Sequence, residues 1–154
     1  MFLAEPPRTN WDVNFHLGQI PVRVHPLFWL MTFILGARGF ENNPDAGPML
    51  LIWVGVVFVS ILVHELGHAL TMRYFGQSAR VVLYMLGGLA IPESSGVGWG
   101  GGRPVKQSSQ SQILISFAGP GAGFILAALV LLILRVLGGA VTTDLSNYPG
   151  MPGI

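Results

Sequence analysis

Within five residues, His64-Glu65-Leu66-Gly67-His68, the chain sets two imidazoles around a carboxylate. Residues four apart on a helix share a face, so His64 and His68 can grip one metal ion. Glu65 is turned about 100° from His64, which lets it reach a metal-bound water without being a ligand. Zinc lowers the pKa of such a water to about 7, and a glutamate beside it can take the proton. The same glutamate, once protonated, can hand the proton to a departing amine. The chemistry in this pattern is hydrolysis of a peptide bond. A lone histidine in such a place is more often a packed core residue than a ligand. A matched pair flanking a carboxylate at the end of an apolar stretch is different, because ionisable groups there are costly and usually functional. Glu65 and His68 also form the Glu-x-x-His pair of di-iron bundles, but the chain has no second such pair.

The elements that must carry this motif are apolar. Met49 to Val63 is almost purely apolar and leads directly into His64, which predicts a helix over 48–74. Ile113 to Leu134 is a second uncharged run, inside a helix expected over 110–137. Each is long enough to span a membrane, since about 20 apolar residues cross the hydrocarbon. A shorter run from Leu27 to Ala37, between Pro26 and Arg38, predicts a further helix over 24–40. Residues 79–91 (ARVVLYMLGGLAI) are β-branched and apolar first, then glycine-rich, and read as one strand or a short hairpin. A Gly/Ser-rich loop over 92–106 and a polar tail over 138–154 complete the chain. The fold class expected is an α-helical integral membrane protein. It has about three transmembrane helices, a strand or hairpin between the second and third, and one membrane-embedded domain over 1–154.

Composition supports that class. Of 154 residues, 51% are hydrophobic and 10% charged, and the mean hydropathy is +0.60. A soluble domain carries about 25% charged residues, so this chain lacks the polar surface to cover itself. The absence of cysteine excludes a disulfide scaffold. A net charge of +1 with no basic run speaks against a nucleic-acid partner. Met1 to Pro7 lacks the basic and apolar regions of a signal peptide. Arg8 and Arg23 precede the first helix, and Arg73, Arg80, Arg103 and Lys106 follow the second; only Arg38 and Arg135 lie on the other side. That bias places the N-terminus in the cytoplasm, with the plasma membrane as the expected location.

Four stretches, in order, resemble the site-2 proteases, an intramembrane zinc metalloprotease family. They are Gly18-Gln19-Ile20-Pro21-Val22-Arg23-Val24-His25-Pro26, the His64–His68 motif, Gly87-Gly88 before Leu89-Ala90, and Phe117-Ala118-Gly119-Pro120. The resemblance covers about Phe15 to Leu137. It implies a zinc endopeptidase that cuts membrane-spanning protein substrates, with His64 and His68 on Zn2+ and Glu65 as base. It implies that the substrate helix is unwound before attack. An unwound segment can add as a strand beside Gly87 and Gly88, although glycines there also simply make a turn. Ala118, Gly119, Ala122 and Gly123 give the third helix a small-residue face for close packing, and Pro120 loosens that helix. The family often has asparagine where this chain has Gly123.

The resemblance also implies a third zinc ligand, an aspartate followed by glycine on a later membrane segment. No Asp-Gly occurs in this chain. Asp45, in Asn43-Pro44-Asp45-Ala46-Gly47, lies in a polar turn before the catalytic helix, and Asp144 follows the last helix. His25 is expected to cap or anchor a helix. The chain therefore reads as the N-terminal part of a protease core, or as a short homologue that borrows a ligand. The rival function is a non-catalytic membrane homologue or fragment that binds substrate helices without cleaving them. A metal transporter would need polar residues on at least two helices, and the third offers only Ser116 within its core.

Overall fold

The computed structural model describes residues 6–40, 44–85, 87–93 and 108–137. Among them lie three helices and four strands in the order β1 (Val13–Leu17), β2 (Ile20–Val24), α1 (Pro26–Gly39), α2 (Ala46–Tyr74), β3 (Ser78–Tyr84), β4 (Gly87–Glu93) and α3 (Ser109–Val136). The 94–107 segment, holding most of the expected Gly/Ser loop, and the 138–154 tail lie outside the described residues.

Two of the helices, α2 with 29 residues and α3 with 28, are long and apolar enough to cross a membrane. Their flanks are exposed apolar surface, with Leu51, Ile52, Phe117, Phe124, Ile125 and Leu132 among the bare side chains. The first of the three expected helices, α1, is the shortest. It holds 14 residues, which at about 1.5 Å each reach roughly 21 Å, short of a hydrocarbon core of about 30 Å. Its start is set by Pro26 in the first turn and by His25, whose Nδ1 accepts the Leu27 N–H at 3.1 Å.

The strands form one sheet in the order β1-β2-β3-β4. β1 pairs antiparallel with β2, β2 parallel with β3, and β3 antiparallel with β4. The expected strand or hairpin over 79–91 is a hairpin, with Tyr84 opposite Gly87 across its turn. The β1–β2 hairpin lies in the region expected only as a lead-in to the first helix. Its turn is closed by Gly18 at φ +62°, a conformation open to glycine at no steric cost. Pro21 sits within β2, yet the ladder to β3 begins only at Val22 opposite Val81. The proline thus costs no hydrogen bond on that side.

Alternation along the strands makes one face of the sheet apolar. Val22, Val24, Val81 and Leu83 are buried there with Phe28 of α1 and Leu62 and Ala69 of α2. The hydrophobic core therefore lies between the sheet and the C-terminal half of α2. Arg23, on the alternate face of β2, is buried and paired with Asp12 at 3.3 Å, and its Nη2 donates to the Pro6 carbonyl at 2.9 Å.

Candidate metal centre

Helical spacing brings the rings of His64 and His68 together. The two rings meet edge to face with centroids 5.0 Å apart, and their Nε2 atoms lie 3.3 Å from each other. Two nitrogens held about 2.0–2.1 Å from a zinc ion at a tetrahedral angle are roughly 3.3–3.4 Å apart. The pair is thus spaced to share one zinc.

The protonation of His68 follows from its neighbour. Its Nδ1 lies 2.6 Å from the carbonyl oxygen of Ile115 on α3. A carbonyl only accepts, so Nδ1 carries the hydrogen and Nε2 keeps its lone pair for a metal. Close packing of α3 makes this contact possible. A Cβ at Gly119 would fall on the His68 ring, and a Cβ at Gly67 would strike the Ala118 carbonyl. Glycine at both positions lets the two helices approach until ring and carbonyl meet. Pro120, one residue on, has no N–H to offer the Ser116 carbonyl.

Glu65 is buried beside this pair, under β4. The backbone N–H of Ala90 faces its carboxylate, and β4 presses directly on it. A Cβ at Gly88 would lie 2.7 Å from Glu65 Cδ and 2.8 Å from Oε1. Gly88 is therefore the place where the strand backbone crosses the carboxylate. The hairpin turn that delivers it holds Met85 at φ +49°, which side-chain-bearing residues rarely adopt. A recess of about 440 Å³ opens beside this crossing, lined by Ser60, Ile61, His64, Glu65, Gly87, Gly88 and Gly123.

The other sequence candidates are elsewhere. His25 caps α1 and meets the Tyr84 ring edge to face at 4.9 Å. Asp45 is the residue before α2, 19 positions from His64 and so about 28 Å along the axis. Asp144 lies outside the described residues. Among the described residues no group of three metal-donor side chains comes together. Sequence reasoning did not find the two contacts that orient the site, the Ile115 carbonyl and the Ala90 N–H. Both are main-chain groups, which side-chain identity does not reveal.

A family model described as peptidase family M50 matches residues 52–148. A zinc metalloprotease of Methanocaldococcus jannaschii is 26% identical over 142 residues, 91% of this chain and 36% of that protein. The solved site-2 protease from Methanocaldococcus jannaschii aligns with a TM-score of 0.55 at 22% identity, over 82% of this chain and 52% of that chain. The chain thus spans about a third of the length of the curated relative it matches.

Proposed function

The chain belongs to peptidase family M50, the site-2 protease family, and from that membership and its metal centre we propose that it is the catalytic part of a zinc-dependent intramembrane endopeptidase. The observation that carries the reading is the pair of Nε2 atoms 3.3 Å apart with Glu65 buried beside them. His64 and His68 would hold the zinc. When bound, the metal supplies a Lewis acid that polarises a peptide carbonyl and acidifies water. Glu65 takes the proton of the attacking water and returns it to the departing amine. The Ala90 N–H and the glycine crossing at Gly88 keep its carboxylate aimed while the sheet excludes bulk water. The Ile115 carbonyl keeps His68 in the tautomer that binds.

The substrate is a membrane-spanning protein whose helix is unwound before cleavage. β4 is an edge of the sheet, and its Gly87 and Gly88 line the recess beside Glu65. An extended segment adding to that edge would pass the carboxylate, with main-chain hydrogen bonds for affinity. α2 and α3 would place the site within the bilayer, with the N-terminus and the sheet on the cytoplasmic side of the plasma membrane, as the arginine bias suggests.

The absence of a third donor among the described residues favours one alternative, a homologue or fragment that grips substrate helices without cutting. The substitution Glu65→Gln separates the two. In zinc-supplied proteoliposomes with a single-span peptide, we expect it to slow cleavage by about 10²–10⁴-fold. Equal cleavage by the variant and the original chain would defeat the endopeptidase reading.

A further inference from the structure

Ser60 lies on α2 four residues before His64, and so on the same helix face. It lines the recess with His64, Glu65, Gly87, Gly88 and Gly123. Three other hydroxyls within the helices turn back to the carbonyl four residues earlier. Thr32 donates to Phe28 O at 2.8 Å, Thr71 to Gly67 O at 2.9 Å and Ser116 to Gln112 O at 2.9 Å. Ser60 makes no hydrogen bond among the described residues. Ser60 is exposed, so its hydroxyl is open to a bound partner.

The spacing says which partner fits. Four residues of helix rise about 6 Å. Two residues of extended chain advance about 6.6 Å, and carbonyls two residues apart point to the same side. A substrate stretched along α2 with its scissile carbonyl at His64 and His68 thus brings another carbonyl level with Ser60. Room for that strand exists, because a Cβ at Gly87 or Gly123 would meet nothing within 4 Å.

We propose that Ser60 is a substrate-positioning residue whose hydroxyl donates to the peptide carbonyl two residues from the scissile one. It holds the unwound segment extended in the recess. This rests on the endopeptidase reading above.

The test is binding rather than turnover. The full chain carrying Glu65→Gln, in lipid nanodiscs, is titrated with a single-span model peptide and with a series in which one carbonyl at a time is replaced by a thioamide. A neutral hydrogen bond in this setting is worth about 3–10-fold in affinity. Adding Ser60→Ala is expected to weaken binding by about that factor, and Ser60→Thr to retain it. One thioamide position should weaken binding to the Ser60 chain and make no difference to the Ser60→Ala chain. A merely structural serine would show no such coupling. Unchanged binding on Ser60→Ala, or a loss coupled to no thioamide position, overturns the role of Ser60. Failure of the Glu65→Gln chain to bind any peptide in the series overturns the endopeptidase reading itself, and this role with it.

Discussion

The two halves of α2 meet different neighbours. In the first half, Leu51 is 76% and Ile52 66% exposed, and a Cβ at Gly55 would touch nothing. Contact there is with α1, where Trp53 packs over Gly36 and donates through Nε1 to the Thr32 carbonyl at 3.2 Å. In the second half, Leu62, Glu65 and Ala69 are buried, with the sheet on one side and α3 on the other. The helix itself supplies only spacing. The candidate site takes shape where two other elements bring main-chain groups to it, the Ala90 N–H to Glu65 and the Ile115 carbonyl to His68. A charged group in an apolar span becomes tolerable, and useful, where such partners arrive.

Substituting glycines on the two elements that press on the second half sharpens this contrast. Gly88→Ala drives a methyl group into the Glu65 carboxylate. A displacement of about 1 Å in a reacting group can cost about 10²-fold in rate, so cleavage should fall by that order while zinc uptake persists. Gly119→Ala acts on the other partner by pushing the His68 ring off its carbonyl. Zinc affinity should then fall by about 10–100-fold, the usual cost of a lost outer-shell contact, as read by competition with a chelator. Equal zinc loss from both substitutions would erase the division of labour between sheet and α3.

A smaller effect is expected in stability. Gly67→Ala meets the Ala118 backbone and should destabilise the α2–α3 pair by about 1–3 kcal/mol. Gly55→Ala, in open surroundings on the first half, should leave stability unchanged or raise it by about 0.5–1 kcal/mol. Thermal unfolding in detergent compares them directly.

Much of the site was legible in sequence. The four-residue spacing put His64 and His68 on one helix face, and Gly87-Gly88 and Phe117-Ala118-Gly119-Pro120 marked the segments that press on the motif. Their tasks were not legible, because nothing in a glycine says that its missing Cβ makes room for Glu65 in one case and His68 in the other. The β1–β2 hairpin was hidden by its brevity and by Pro21, which reads as a strand breaker. Its tolerance depends on where the β3 ladder starts, a fact of register. A link such as that of Arg73 to Gln19, 54 positions apart, is likewise a property of the fold. The length of α1 was not legible either, since apolar flanks suggested a helix over 24–40 and α1 holds 14 residues.

The smallest effect concerns the N-terminal segment, far from the chemistry. Burial alone would raise the Asp12 pKa, but hydrogen bonds from Thr9 and the charge of Arg23 outweigh it and hold the carboxyl below its ordinary value. A pKa lowered by folding gives stability that is present above the unfolded value of about 3.9 and lost as pH falls through the folded value. Melting temperature should therefore drop as the solution is acidified below about pH 4. The Asp12→Asn chain should start lower and drop less. Identical acid profiles would remove Asp12 from the account, and zinc binding should be indifferent to the change.

The most direct test is zinc content per chain in the purified 154-residue protein, compared with His64→Ala, His68→Ala and Glu65→Gln. The account predicts one zinc, lost with either histidine and kept with Glu65→Gln. A chain that takes up no zinc, or whose zinc survives removal of both histidines, would contradict it.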